Sequence, residues 1–499
     1  MKKRIICLAI MLIMLFSLSS CVIEQKYDYK DMSKYISIPT IDGKEIKVDL
    51  DMVQMTVDQD IASLSSDKIV ALEGDKVNVV ITFQEYKLLG TDEAGNPVDQ
   101  KGDIWYSSDN ASTTDKKEFI TIDKLGAGNF IASIESRILK AKLGESTTEN
   151  DYIIPSVEDL ANLQKNYPEI YEKLAPHAGK RIFLTYSFVS RPVKEGDVVS
   201  VTYKGYETDT DGNILIKDGK EVTFDGGSGT SKVYIGSRTF IVDFEKGLIG
   251  ADVNKEVQFK ATFPKDYGED GTDAAKMNGK TVVFKATVTD IFQTKKYDYD
   301  YIKTNYGDKY ESVEAFEKSL IESYASTQIV DFLVSGSEVF EYPKTEFKLI
   351  KQQLTEAATT ILAQYNMTLE QYIKQAYGFE SVDAYVYSVM KAEMAYYAYA
   401  QKHGLVITDA DVQKAKDELI EMYTEQYLQS SSKITEAEAR SYATEYVEKG
   451  ISHADVYQEA LYSVVGDHLK TKYTIVENPA TFTSVTKGGS LFDPEKDAE

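Results

Sequence analysis

The residues best placed to do chemistry in this 499-residue chain are aromatic rather than ionisable. Thr223-Phe224-Asp225-Gly226-Gly227 offers a turn, and Gly236 through Gly250 then sets Phe240, Ile241 and Phe244 at helical spacing ahead of Gly247 and Gly250. That pattern predicts an apolar floor beneath a short helix bounded by turns, a surface able to bind a prolyl peptide. One reaction needs nothing more. Rotation about an X-Pro amide faces a barrier of ~18–20 kcal/mol because resonance stiffens the C–N bond. A pocket that binds the twisted amide better than the planar one lowers that barrier without proton transfer, using aromatic walls and one or two oriented polar contacts.

Other chemistries find little support. His177, His403, His453 and His468 are scattered, with no H-E-x-x-H spacing, so they read as surface or packing residues and no metal site is expected. No glycine-rich phosphate or dinucleotide loop occurs, so no cofactor is expected. Cys7 and Cys21 are the only cysteines, which leaves no basis for a disulfide framework or a catalytic thiol.

The elements that must carry the aromatic set repeat. Glu73-Gly-Asp-Lys-Val-Asn-Val-Val80 parallels Glu195-Gly-Asp-Val-Val-Ser-Val-Thr202, Gly126-Ala-Gly-Asn-Phe-Ile131 parallels Gly236-Ser-Arg-Thr-Phe-Ile241, and Gly179–Tyr186 parallels Gly279–Ala286. Three matches in order point to a duplication. Each copy reads strand, loop, strand, short helix, strand, loop, strand, an antiparallel sheet around one helix. The first copy carries a helical insertion at Val157 to Leu174, with Leu160, Leu163 and Tyr167 at helical spacing. Before it, Thr56 to Leu64 reads as a short helix.

After Phe292 long helices take over. Thr368-x-x-Gln371, Thr408-x-x-Asp411 and Thr435-x-x-Glu438 mark helix starts, Val386, Met390, Met394 and Tyr397 trace an apolar face, and Gly378, Gly404 and Gly450 separate segments. Tyr385, Tyr387, Tyr396, Tyr397 and Tyr399 crowd one helix; amphipathic rings of this kind suit a cradle for unfolded segments and equally suit ordinary packing. From Glu477 the chain is polar and glycine-bearing, which predicts a disordered tail over 477–499.

Composition sets the setting. The net charge is −24, and −27 once Lys2, Lys3 and Arg4 are removed with a signal segment. An acidic surface excludes the basic patch that nucleic-acid binding requires. Lys2-Lys3-Arg4, the apolar run Ile5–Leu18 and the small residues before Cys21 read as a signal over 1–20, too short for a confident membrane span. Leu18-Ser19-Ser20-Cys21 resembles a bacterial lipobox, which implies lipidation of Cys21, a tether over 21–39 and a chain held at the extracytoplasmic face of the cell membrane.

The aromatic set also carries a family resemblance. Val201-Thr-Tyr203-Lys-Gly205, Phe224-Asp225-Gly-Gly, Gly236 to Gly250, Phe263-Pro-Lys-Asp-Tyr267-Gly268 and Val283-Phe284 resemble, in order, the FKBP-type peptidyl-prolyl isomerases. The resemblance implies walls from Tyr203, Phe224 and Phe284, an edge from Phe240 and Ile241 with the Ile241 N–H meeting a substrate carbonyl, and a Phe244 floor. It further implies that Asp225 orients the polar side and that the Tyr267 hydroxyl donates to the peptide. Phe259 and Val288 read as core. Val242-Asp243 departs from the Pro-Gly found in many trigger-factor-like members. The first copy has Ile81 and Leu184 where Tyr203 and Phe284 stand, and Trp105-Tyr106-Ser-Ser108 where Phe-Asp-Gly-Gly stands, so it is expected to be inactive.

Tyr301–Gly307, Ser312–Phe316 and Ser337–Pro343 are similar to the start of the helical body in the trigger-factor family, whose ribosome-docking signature Gly-Phe-Arg-x-Gly-Lys-x-Pro is absent. The expected fold class is therefore α+β: two tandem FKBP-like antiparallel β domains, the first degenerate, then an all-helical trigger-factor-like chaperone domain. The expected domains are 40–193, 194–294 and 295–476. The expected function is a membrane-anchored, extracytoplasmic isomerase and chaperone for unfolded or proline-containing polypeptides, with neither nucleic acid nor ribosome as partner. The alternative is a client-binding or surface-assembly lipoprotein that keeps the fold without turnover.

Overall fold

The computed structural model describes residues 31–492 apart from 93, 95–96, 109–118, 269–271, 273, 364–366 and 431–433. The expected signal, Cys21 and most of the tether lie outside the described residues. Among those described, no helix is long and apolar enough to cross a membrane. The fold class is α+β, with two antiparallel β copies and a helical part, and the chain divides into two compact units.

One unit comprises residues 49–317 and 479–492 of the described chain. It opens with helix α1 (Leu50–Leu64), whose start is fixed by the Asp49 carboxylate accepting the Asp51 N–H. The helix thus begins well before Thr56, where the sequence pattern placed it. The first β copy holds strands β1 (Val77–Thr91), β2 (Pro97–Ser107) and β3 (Ile120–Ile122), helix α2 (Ala132–Ile138), strand β4 (Ser146–Ile153), helices α3 (Ala161–Asn166) and α4 (Pro168–Leu174), and strand β5 (Arg181–Ser190). The second holds β6 (Val198–Glu207), β7 (Thr223–Tyr234), helix α5 (Val242–Leu248), β8 (Glu256–Thr262) and β9 (Thr281–Phe292). Helix α6 (Tyr299–Tyr306) follows.

The two sheets share one plan. Strand order is β2-β1-β5-β4 in the first, with β3 also on β1, and β7-β6-β9-β8 in the second, all antiparallel. Alternation buries Val77, Val79, Ile81 and Phe83 in β1 and Val282, Phe284, Ala286 and Val288 in β9. The register confirms the duplication. Leu184 pairs with Phe83 as Phe284 pairs with Gly205, and Tyr186 pairs with Ile81 as Ala286 pairs with Tyr203. Against each sheet lies one short helix, burying Ile134 and Ile138 in α2 and Phe244 and Leu248 in α5.

The other unit comprises residues 31–48 and 318–478. It contains most of α7 (Val313–Ser335), then α8 (Lys344–Ala363), α9 (Leu369–Tyr377), α10 (Val382–His403), α11 (Asp409–Ser430), α12 (Glu436–Gly450) and α13 (His453–Lys470). Reciprocal capping boxes at Thr368/Gln371 and Thr435/Glu438 start α9 and α12, and left-handed Gly378 and Gly404 end α9 and α10. Val386, Met390 and Met394 are buried as the periodicity predicts, and Tyr385 and Tyr399 are buried too, while Tyr387 is exposed. His403 and His468 are not scattered after all: their rings lie 5.1 Å apart, and the Tyr399 hydroxyl and His468 Nδ1 share a hydrogen bond of 3.0 Å.

Two expected boundaries move. Residues 40–48 sit with the helices rather than the first β copy, because the strand Lys44–Asp49 pairs with Tyr473–Asn478, and Ile36–Ser37 pairs with Glu338–Val339. Residues 295–317 sit with the β copies: the Tyr301 hydroxyl donates to Asp60 on α1 at 2.9 Å, and the Tyr306 hydroxyl bonds the same carboxylate. Pairings between such distant segments leave no mark in local periodicity. Nor is the whole of 477–499 a disordered tail. Residues 479–492 are ordered against the β unit, with Ser484 and Leu491 buried.

Candidate functional site

The aromatic residues singled out in the second copy form one connected cluster. Phe244, on α5, is 1% exposed and is touched by the rings of Tyr203, Phe240 and Phe284 at centroid distances of 5.2, 5.1 and 4.9 Å. Tyr203 from β6 and Phe284 from β9 meet edge to face at 6.1 Å, and Phe284 meets Phe224 of β7 at 6.0 Å. Phe224 in turn abuts Phe263, which carries Tyr267 at 4.7 Å. Most of these are the tilted and edge-on arrangements that aromatic quadrupoles favour.

Burial separates floor from rim. Phe244 and Phe284 are buried, Tyr203, Phe224, Phe240 and Ile241 are half-buried, and Tyr267 is 47% exposed. The set is therefore an apolar floor with an accessible edge, not a closed core. Phe259, half-buried, packs against Phe244 at 5.6 Å, and Val288 is fully buried in the core. Glycine makes the wall possible: a Cβ on Gly205 or on Gly227 would lie 2.5 Å from the Phe224 ring.

The polar groups are placed more selectively. The Ile241 carbonyl accepts the Phe244 and Glu245 N–H groups at 2.9 and 3.2 Å, while the Ile241 N–H itself has no partner among the described residues. Tyr267 sits in a loop fastened by Asn278, whose side chain accepts from the Gly268 N–H at 2.8 Å and donates to the Gly268 carbonyl at 2.9 Å. Asp225 is exposed, on the stretch where the β6–β7 register slips between Thr223 and Ser228, and takes no hydrogen bond among the described residues. The structure thus gathers the rings and Tyr267, with Ile241 packed against the same core, while Asp225 stays exposed. Asp243, the departure from Pro-Gly, serves the scaffold, since its carboxylate accepts the Thr262 N–H at 2.8 Å and so ties α5 to β8.

Sequence reasoning missed Glu245. Fully buried, its carboxylate accepts the N–H groups of Gly236 at 2.8 Å, Arg238 at 3.3 Å and Phe240 at 3.0 Å, with the Ser237 hydroxyl at 3.4 Å. It thereby shapes the loop that brings Phe240 and Ile241 to the rim. Burial pushes its pKa up to about 7, against the pull of those donors. The first copy repeats the device. Glu135 accepts the N–H groups of Gly126, Gly128 and Phe130 at 2.8, 3.0 and 2.7 Å. A glutamate five residues after each repeated phenylalanine was the available signal.

In the first copy the corresponding surface is covered. Phe130, the counterpart of Phe240, is only 2% exposed and is met edge-on by Tyr167 at 5.1 Å. The insertion buries Leu160, Leu163, Ile170 and Leu174, and its Asn162 and Asn166 amides donate to the Gly128 and Asn129 carbonyls, each at 2.9 Å. Trp105 stacks on His177 at 3.6 Å.

Residues 189–289 match the family model of FKBP-type peptidyl-prolyl cis-trans isomerases. The match covers all but the last three residues of β9 in the second copy, and every residue of its aromatic set. Among curated relatives, the Trigger factor of Campylobacter jejuni subsp. jejuni serotype O:2 is 29% identical over 184 residues, 36% of this chain and 34% of that protein. The Trigger factor of Halothermothrix orenii is 26% identical over 251 residues, 46% of this chain and 53% of that one. The chain thus spans about a third to about half of the length of these relatives. A crystal structure of the three FKBP domains of wheat FKBP73 covers 45% of this chain and 92% of that one at 13% identity, with a TM-score of 0.14, too slight a likeness to bear on the argument.

Proposed function

We propose that the FKBP-type domain at 189–289 isomerises X-Pro bonds in polypeptide clients that the helical unit helps to hold, at the extracytoplasmic face of a membrane to which Cys21 anchors the chain. The observation that carries the catalytic reading is the ring cluster: a buried Phe244 floor, half-exposed Tyr203, Phe224 and Phe240, and an unpartnered Ile241 N–H at the rim. A prolyl ring seated on Phe244 leaves water, and its preceding carbonyl meets the Ile241 N–H. As the amide twists, it loses conjugation and with it part of its charge separation, so an apolar wall stabilises the twisted form relative to the planar one. Tyr267 supplies a hydroxyl to the flanking backbone. None of these steps moves a proton. The client class follows from the chemistry of the reaction, and from relatives named Trigger factor.

A proline-limited refolding assay tests the reading. Catalytic amounts of the protein accelerate the slow phase; equal rates with and without protein overturn it. Fractionation tests the anchor: Cys21→Ala releases the chain from membranes, and unchanged membrane association counts against lipidation. The second reading, a holding protein without turnover, is favoured by Asp225 standing without a partner among the described residues; aggregation suppression that survives Phe224→Ala and Tyr267→Ala would support it.

A further inference from the structure

The segment after Asn478 runs along α1 in a manner that the isomerase plan does not call for. Asp51, Gln54 and Asp58 recur on one face of α1, and each reads a part of it. The Asp51 carboxylate accepts the Thr481 N–H at 2.8 Å and also the Thr481 hydroxyl. Gln54 donates to the Phe482 carbonyl at 3.0 Å and accepts the Ser484 N–H at 3.1 Å, so both backbone groups are satisfied by one amide. The Asp58 carboxylate accepts the hydroxyls of Ser484 and Thr486. All three α1 residues are buried, as is Ser484. Buried polar groups that are all paired specify a partner more sharply than apolar contact does.

The other side of the same segment faces the loop held by Glu245. A Cβ on Gly236 would lie 2.8 Å from Val485, and the Val485 N–H donates to the Gly236 carbonyl at 3.4 Å. The Arg238 guanidinium lies 4.8 Å from the Phe482 ring centroid and donates to the Ser490 carbonyl at 3.3 Å. Further on, Leu491 is buried, and its N–H and the Ser490 hydroxyl both donate to Glu195. Arg238 is the telling residue. Its φ of +57° is left-handed, where the first copy has Gly128 at +70°. A side chain in that region is strained, and the strain persists only where the surroundings hold it in place. Only the copy that puts arginine there receives the C-terminal segment.

We propose that the α1 face and the 236–238 loop form a peptide-docking surface whose occupant is the chain's own segment 481–491, and that its docking holds the loop bearing Phe240 and Ile241 in its working conformation. The effect on turnover rests on the isomerase reading above; the docking does not.

The test compares the full chain with a version ending at Asn478 and with the double variant Ser484→Asp/Thr486→Asp, which sets carboxylates against Asp58. Hydrogen exchange is read in the peptide covering 234–242. Expected is exchange about tenfold faster in both altered proteins, with β9 still protected, because the loop opens locally rather than globally. A synthetic 479–492 peptide added to the shortened chain restores protection. Isomerase activity falls severalfold and returns with the peptide. Unchanged protection of 234–242 in the double variant overturns the proposal, including where the shortened chain fails to fold. If the full chain shows no isomerase activity at all, the isomerase reading fails while the exchange result still decides the docking.

Discussion

The two β copies share a strand order, a register and a buried glutamate, yet only one exposes its aromatic surface. In the first, α3 and α4 are laid over the helix-leading loop, Phe130 is sealed under Tyr167, and two asparagines bond the loop carbonyls. In the second, the equivalent loop is gripped at Gly236 and Arg238 by residues 485–490, and Phe240 remains half-exposed. Each loop has an external clamp. Where the clamp sits decides whether the rings beside it are sealed or open to solvent, so the two copies differ in what covers the fold rather than in the fold.

The sharpest way to break this comparison is to remove the floor from each copy. Phe244→Ala deletes a ring that touches Tyr203, Phe240 and Phe284, and a change of this size in a core costs about 3–5 kcal/mol. It abolishes the acceleration of proline-limited refolding. Ile134→Ala in the first copy costs about 2–5 kcal/mol by the same mechanism and leaves the acceleration intact at temperatures where both variants are folded. Thermal unfolding and refolding kinetics on both variants check this. Loss of activity on Ile134→Ala would give the first copy a direct part in catalysis.

Much of this contrast is legible in the sequence, for identifiable reasons. Period-two alternation places the strands, and the repeated Gly-x-x-x-Phe-Ile segments place both loops, because these signals are local. Tyr203, Phe224, Phe244 and Phe284 stand out by their spacing to turn glycines. Glu245 does not, because a glutamate in a short helix reads as solvated, and only the three N–H groups pointing at it give it a role. The segment 479–492 misleads for a similar reason. Its Thr/Ser/Gly composition reads as disorder, and what orders it is a row of polar side chains on α1, more than 400 residues earlier in the chain.

A smaller effect is expected from the paired glutamates. Glu245→Gln and Glu135→Gln each set an amide N–H against backbone donors, and each costs about 1–3 kcal/mol. Only Glu245→Gln also weakens activity, since only its loop reaches an open rim. Glu245→Gln should change the pH response as well. Burial raises the Glu245 pKa to about 7 from an ordinary 4.5, so the folded state binds the proton more tightly than the unfolded chain does. This group's contribution is fully present below about pH 4.5 and is lost as pH rises through about 7, at up to about 1.4 kcal/mol per unit. The stability margin of wild type over Glu245→Gln therefore narrows from pH 5 to pH 8. Asp58, raised to about 6 by burial, has the same sign but is common to both proteins and cancels in the difference. A margin that stays constant or widens would show that Glu245 is ionised throughout.

The smallest expected effect separates the rim from the floor. Tyr267 is 47% exposed and meets the Phe263 ring, so Tyr267→Phe keeps the ring contact and removes a hydroxyl with no partner among the described residues. Stability stays within the few tenths of a kcal/mol usual for a surface change. Activity falls by about twofold to tenfold, the worth of one neutral hydrogen bond to a bound peptide at about 0.5–1.5 kcal/mol. The equivalent trim in the first copy, Tyr167→Phe, reverses the pattern: its hydroxyl donates to the Thr121 carbonyl at 2.8 Å, so stability drops and activity does not. Steady-state rates on a prolyl peptide and melting curves for the two variants read both halves. Equal melting losses for the pair would mean that the rim hydroxyl is as much a structural element as the capped one, and the contrast between the copies would narrow to the rings alone.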